Sequence, residues 1–400
     1  MEPMPWKVNR LMDSKIDFIS RLGRGERMTD LCREFGIARK TGHKLKERYA
    51  ARGIVGLEEY SRAPRSSPWK TPPETVELLL GARRAHPTWG PKKLKDVLER
   101  KHDCTLPSAS TIGHILDGAG LVVKRRRRGS HKSLPVHLSE ANAPNDLWCI
   151  DYKGQFRLGD QSFCYPLTIT DQFSRFLLAC EGMAAISDDE AREVCQDVFR
   201  RYGVPTAMRS DNGAPFASVG LAGLTRLAVY WLRLGIRLER TNPASPQDNG
   251  RHERMHRTLK AETTRPARRT LLQQQESFDA FINEYNVERP HEALHMMRPA
   301  EVYTPSTRPY PPVLPEPTYP MHDLDVLVRK NGFIRLPGRR GEVHVCAALR
   351  GQRVGLRELD DQRWLVSFMA LDLVHVQPDN AVIPCYPDAL NPNLLPMSPV

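Results

Sequence analysis

The chain has 400 residues, with 59 Lys and Arg against 47 Asp and Glu and a formal net charge of +12. That length suits two to four domains, and the basic balance points to polyanionic partners, nucleic acid first. Its eight cysteines form no C-x-x-C pair, which argues against a cysteine zinc site and fits a reducing cytoplasm; neither a long apolar run nor a signal-peptide core is present, so no membrane association is expected.

In chain order, residues 1–67 are expected to form a helix-turn-helix domain. One helix starts near Thr29 and stops at Gly36, and a second carries Arg39, Lys40, His43 and Lys44 on its outer face. Helix, short turn and basic helix is a DNA-reading arrangement, although an ordinary helical hairpin has the same outline. A Pro/Ser stretch (61–74) leads to a second helical module over 68–128. There Pro91 suits a first helical position and Ser108 can cap a third helix. The run Lys124, Arg125, Arg126, Arg127 and Arg128 then opens a basic linker (129–140). Five adjacent charges rarely pack, so the run is a solvated segment or a phosphate-contacting arm.

From Leu147 three apolar, β-rich segments are followed by helix, strand, helix, strand and two helices. The order β-β-β-α-β-α-β-α-α predicts a mixed sheet with helices on its faces over 141–306. A stiff proline linker (307–322), a small C-terminal β-barrel (323–380) and a disordered tail (381–400) complete the expected layout. Arg329, Lys330, Arg335, Arg339 and Arg340 gather around one turn of that barrel, as a DNA-contacting surface or a solvated hairpin tip.

Three carboxylates stand out. Asp151 sits inside an apolar strand, between Ile150 and Tyr152, where a charge is costly unless something positive meets it. Asp211 ends the strand "AMRSD" and opens an Asn-Gly turn, a normal place for Asp. If the two strands are neighbours, the aspartates lie side by side and Glu253, on a helix crossing the sheet, can reach the same point. Three oxygen donors there form a site for hard cations, Mg²⁺ or Mn²⁺, and such sites handle phosphodiesters with two ions.

The blocks "WCIDYKG", "RSDNGAPF", "SPQDNGRHERMHRTLK" and "YNVERPHEAL" resemble those of DDE transposases of the insertion-sequence type, which share the retroviral-integrase core. The resemblance spans roughly 141–305. It implies an RNase H-like fold, metal-dependent DNA cleavage and strand transfer by Asp151, Asp211 and Glu253, and action as a homo-oligomer on double-stranded DNA ends. It also implies phosphate contacts from Arg257 and Lys260, four and seven residues beyond Glu253 on its helix face. In one departure, 41 residues separate Asp211 from Glu253, more than the common family spacing, which leaves Asp248 as a rival; Asp248 also suits a capping position at a helix start. An inactive, domesticated relative that only binds DNA is the alternative of a different class.

The stretch His252-Glu253-Arg254-Met255-His256 also matches the H-E-x-x-H signature of zinc peptidases. A zinc peptidase needs a third ligand and leaves Asp151 and Asp211 without a role. No zinc is therefore expected. The two histidines are left to a helix surface or the vicinity of DNA, and His291 to a turn.

Overall fold

The computed structural model describes residues 11–59, 70–122, 139–218, 223–241, 250–359 and 362–385. Lys124 to Arg128, Asp248 and most of the expected tail lie outside the described residues. The chain divides into two compact units, Met1–Lys70 and Thr71–Val400.

The first unit holds three helices, α1 (Leu11–Gly23), α2 (Met28–Glu34) and α3 (Arg39–Arg52). The sequence reading placed α2 and α3 and passed over α1, whose Phe18 lies in the core with Leu31, Cys32, Leu45 and Leu57. Gly42 sets how closely α3 approaches α2. A Cβ there would stand 2.7 Å from Cys32 Sγ and 2.8 Å from Met28 Sδ, so any side chain would push the helices apart. Arg39, Lys40, His43 and Lys44 all project to solvent from α3.

The second unit begins with α4 (Pro73–Ala85), α5 (Pro91–His102) and α6 (Ala109–Gly118). Ser108 caps α6 by accepting from Thr111 N–H. Leu79, Trp89, Leu94, Leu98 and Ile112 form their shared core. This module is tied to the rest of the unit by polar pairs: His86 with Glu284 (3.0 Å), Arg298 with Asp96 (3.1 Å), Lys92 with Glu292 and Thr88 with Glu262.

The central sheet contains β1 (Leu147–Tyr152), β2 (Phe156–Arg157), β3 (Phe163–Asp171), β4 (Leu177–Met183), β5 (Ala207–Ser210) and β6 (Arg237–Arg240). Antiparallel pairing joins β1, β3 and β4, whereas β5 runs parallel to both β1 and β6. The resulting order β4-β3-β1-β5-β6, with β2 against the start of β3, is an RNase H-like sheet. The two-residue period of β1 sends Trp148 and Ile150 to one face and Cys149 and Asp151 to the other. On the first face α7 (Asp188–Tyr202) and α8 (Arg226–Arg233) close a core around Trp148, Phe199 and Trp231. On the second, α9 (Gly250–Thr263) and α10 (Leu271–Asn283) bring Met255, Leu259, Phe278 and Phe281 against Leu177 and Cys180.

The C-terminal region adds β7 (Leu324–Leu327), β8 (Phe333–Ile334), β9 (Val343–His344), β10 (Arg353–Glu358), β11 (Trp364–Phe368), β12 (Leu371–Val376) and β13 (Val382–Pro384). Five of these form an antiparallel sheet in the order β13-β12-β11-β10-β7, and β8 pairs with β9. The expected β-rich C-terminal module is thus an antiparallel sheet, and among the described residues its outer strands β13 and β7 do not pair. The expected tail starts too early: Val382 and Ile383 pair with Val376 and His375.

Helix α8 is buried along its length from Leu227 to Leu232. Leu227, Tyr230 and Trp231 face the central sheet, while Ala228, Val229 and Leu232 belong to the core of the C-terminal sheet. A helix apolar on every side is one packed from both sides. Nor does the proline-rich segment serve as a free spacer. Arg308 donates to the carbonyls of Pro205 (2.6 Å) and Leu234 (2.7 Å), Arg233 donates to that of Pro315 (2.8 Å), and Tyr310 and Leu314 lie on the first core.

Asn145 joins three segments ahead of β1. Its backbone is in the left-handed region (φ 69°). Its Oδ1 accepts from Trp148 Nε1 (3.1 Å) and Tyr303 Oη (2.9 Å), and its Nδ2 donates to Thr304 O (2.8 Å). Asn145→Ala strands these buried partners and is expected to cost about 2–4 kcal/mol, read by urea denaturation; a loss below about 0.5 kcal/mol, within surface-mutation scatter, would show that other contacts hold this corner.

Candidate active site

The parallel register of β1 and β5 sets Cys149 opposite Arg209. Two residues further along each strand come Asp151 and Asp211, at neighbouring strand ends. Asp211 is held by its own turn, where Gly213 N–H donates to its Oδ1 (3.1 Å), and Asn212 is tied to Thr241 O (2.7 Å). Glu253 lies on the solvent side of the first turn of α9.

The three carboxylates share the direction of their pKa shifts. Burial pushes Asp151 up to about 7, and the negative charges of Asp211 and Glu253 add to the rise against the opposing Lys153. Asp211 is raised by the protein packed around it, with Gly213 N–H and Arg240 opposing. Glu253 is raised by desolvation too, with Lys153 and Arg257 opposing. Neighbouring carboxylates that each resist ionisation are a place where a cation would be stabilised. An all-oxygen donor set fits a hard divalent ion.

The histidines of the H-E-x-x-H stretch are not on the helix surface. His252 is 1% exposed and His256 4%. The i, i+4 spacing puts both on the apolar face of α9 with Met255 and Leu259. Both Nε2 atoms reach Thr168 Oγ1, at 2.7 and 2.6 Å, and His252 Nδ1 meets Thr170 Oγ1 at 2.8 Å. Thr168 Oγ1 also lies 3.1 Å from the Asp151 carbonyl, its cross-strand partner. One proton assignment satisfies this set: each imidazole donates from Nε2 to Thr168, Thr168 donates to Asp151 O, and Thr170 donates to His252 Nδ1. Burial keeps both rings neutral, lowering His252 to about 3 and His256 well below its usual value.

His256 Nδ1 stands 3.7 Å from Asp151 Oδ2, and one donor atom from each of Asp151, His252 and His256 falls within 4.8 Å of the others. Both nitrogens of His252 and the Nε2 of His256 are engaged by threonine hydroxyls, so this trio is accounted for as a hydrogen-bonded tether. Sequence reasoning missed the tether because Thr168 and Thr170 lie more than eighty residues away. The available signal was the coincidence of His252 and His256 with the apolar stripe of α9.

Arg257 and Lys260 are exposed on α9, as expected, and Arg257 is close enough to Glu253 to oppose its pKa rise. In the C-terminal basic turn Arg329 pairs with Glu342 (2.7 Å), and Arg339 folds back to donate to Gln377 O (2.7 Å); Arg339 is therefore a brace of the sheet edge more than a free charge. His291 is 8% exposed and stacks edge-on against Tyr285.

Residues 141–246 and 234–299 match models described as integrase core domain, and residues 41–116 match a homeodomain-like domain. The chain carries an integrase core domain. It is 30% identical over 176 residues to the Gag-Pol polyprotein of Baboon endogenous virus (strain M7), covering 44% of this chain and 10% of the polyprotein. It is 27% identical over 265 residues to the insertion element IS407 uncharacterized 31.7 kDa protein of Burkholderia multivorans, covering 64% of this chain and 90% of that protein. The integrase-core chain thus spans only a small part of the viral polyproteins it matches, 10% and 16% for two endogenous-virus relatives. Among solved structures, a simian T-cell lymphotropic virus intasome in complex with PP2A regulatory subunit B56 gamma gives a TM-score of 0.37 at 16% identity, covering 75% of this chain and 99% of that chain. The HTLV-2 integrase catalytic core domain in complex with magnesium gives 0.33 at 14% identity, covering 41% and 99%.

The raised pKa of Asp151 has a testable sign. Because its folded value exceeds its unfolded one, its contribution to stability is full below the ordinary carboxylate range and is lost as pH rises through about 7. With its side chain 26% exposed, ionised Asp151 at pH 8 should cost about 1–3 kcal/mol. Asp151→Asn removes that cost, so without divalent metal the variant should melt higher than wild type at about pH 8 and gain little near pH 4. The neutral histidines weaken both proteins alike on acidification. Melting curves at the two pH values check this, and a lower melting point for the variant at pH 8 would mean that Asp151 is not strained.

Proposed function

We infer that this integrase-core protein is a transposase: it binds the ends of its mobile element and catalyses metal-dependent DNA cleavage and strand transfer. The observation that carries the reading is Asp151 and Asp211 at the ends of adjacent parallel strands, with Glu253 on the helix across them and all three pushed toward protonation. Asp151, Asp211 and Glu253 would hold two divalent ions, Mg²⁺ or Mn²⁺. When bound, such ions supply positive charge on both sides of an in-line displacement at phosphorus and lower the pKa of the attacking hydroxyl. The chain's own part is to keep the carboxylates converged. Asp151 is fixed by the strand and by Thr168 at its carbonyl, Asp211 by its turn, and Glu253 by the tethered α9.

The remaining roles follow from charge and exposure. Arg39, Lys40, His43 and Lys44 on α3 suit recognition of duplex DNA, and the basic residues of α9 suit the phosphates next to the reacting group. The run Lys124 to Arg128 suits a phosphate-contacting arm, and the C-terminal sheet a bridge in a homo-oligomer on paired DNA ends. Double-stranded DNA is thus the partner and the bacterial cytoplasm the location, a reading supported by the likeness to an insertion-element protein of Burkholderia multivorans. The histidine pair holds no zinc in this reading.

Asp151→Asn, Asp211→Asn and Glu253→Gln should each lower nicking and joining of element ends with Mg²⁺ by on the order of 10³-fold or more, while gel-shift affinity for the ends persists. Asp248→Ala should keep most activity. Should wild type bind its ends but never nick or join them with any divalent metal, the protein is a DNA-binding relative without catalysis. One tightly held zinc per chain, lost in His252→Ala/His256→Ala, would restore the zinc reading.

A further inference from the structure

Between the α4–α6 module and α9 lies a cavity of about 460 Å³. Arg83 and Lys93 line it from the module, Arg175 from the β3–β4 turn, Arg254 and Arg257 from α9, and Arg289 from the turn after α10. Among the described residues no Asp or Glu lines it.

Some of these cations have structural work. Arg83 donates to the carbonyls of Trp89 and Leu121, and Arg289 pairs with Glu262 at 2.7 Å. Lys93, Arg175, Arg254 and Arg257 make no ion pair among the described residues. Burial and the nearby Arg289 push Lys93 down to about 8. Burial and Arg251 lower Arg175 as well.

Arg175 carries two more marks. Its backbone sits in the left-handed region (φ 63°), where glycine or asparagine would be relaxed and arginine is not. Its Nε–H is buried without an acceptor, as is the Nε2 of His291 in the same wall without a partner. A turn that holds a strained arginine with an unused donor among like charges weakens the fold unless an anion completes it.

We propose that this cavity extends the phosphate path beyond Arg257, binding phosphodiester groups of the DNA strand that passes along α9 to the carboxylates, with Lys93, Arg175 and Arg254 as its further contacts. Guanidinium forks match phosphate oxygens in pairs. The site's position, with Arg257 shared between the cavity and the surroundings of Glu253, makes it continuous with the reaction centre. Its walls come from both the α4–α6 module and the core. The proposal rests on the reading of the chain as a DNA-processing enzyme.

The test uses the full chain and an end-containing duplex, with affinity measured across a salt series. Arg175→Gln/Arg254→Gln should bind about 10–100-fold more weakly at low salt, with a log–log salt slope shallower by about two, since each phosphate contact contributes close to one. Arg200→Gln, on α7, should match wild type. Lys93→Met should weaken DNA binding while the melting temperature holds or rises, because a repelled, desolvated charge is gone; a fall in both would mark a structural lysine and overturn its assignment. An unchanged slope in the double variant, in a protein whose wild type binds DNA, overturns the cavity and leaves the transposase reading intact. Wild type without affinity for DNA at any salt concentration brings down both. Pyrophosphate is the second probe: if it stabilises wild type and not the double variant while DNA affinity is equal in the two, the cavity is a small-anion site and the DNA assignment is wrong.

Discussion

The seat of α9 on the central sheet is the contact on which the candidate site depends. Glu253 has no strand to hold it; its place is set by the two residues that flank the next turn inward, His252 and His256, and by the single hydroxyl of Thr168 that both rings address. That hydroxyl also reaches the carbonyl of Asp151. One side-chain oxygen therefore fixes both the helix carrying the glutamate and the strand carrying the first aspartate. Buried polar groups of this kind add little net stability beyond an apolar contact, but they allow few alternative registers. A helix shifted by one residue would leave two buried imidazoles and the Thr170 hydroxyl without these partners.

The candidate carboxylates drew notice for different reasons. Asp151 interrupts an apolar strand, and Asp211 and Glu253 follow in blocks with recognisable neighbours. The start of α6 was legible from its cap, Ser108, which accepts from Thr111 N–H. The histidines were misread because their meaning lies in Thr168 and Thr170, distant in sequence and brought close only by β3. Arg339 was misread for a similar reason: a charge in a Gly-rich turn looks solvated until a carbonyl from another strand, Gln377, is found beneath it. In the C-terminal region the β-rich character was legible, whereas β13 was not, since its residues were assigned to the tail and it adds to the edge of the sheet.

The buried pair Arg209–Glu239 was likewise invisible in sequence. It spans β5 and β6 in register, its side chains 3% and 13% exposed. It lies just before Asp211 and fastens the strand that ends there to its neighbour, so the second aspartate, like the first, stands at the end of a strand locked from the side. The two aspartates thus owe their places to backbone pairing and buried polar contacts and the glutamate to a tethered helix, which leaves the mutual repulsion of the three with little freedom to relax.

Helix α8 has a consequence for how such a chain can change over time. Its inner face serves the integrase-core sheet and its outer face, through Ala228, Val229 and Leu232, serves the C-terminal sheet. The two sheets are therefore not interchangeable parts on a string. A recombination event that swapped in a different C-terminal segment would inherit an outer face of α8 shaped for the old one, and the new partner would have to arrive with matching contours or be followed by compensating changes in that helix. Inheritance of the central sheet and of the C-terminal sheet is coupled by the eight residues of α8.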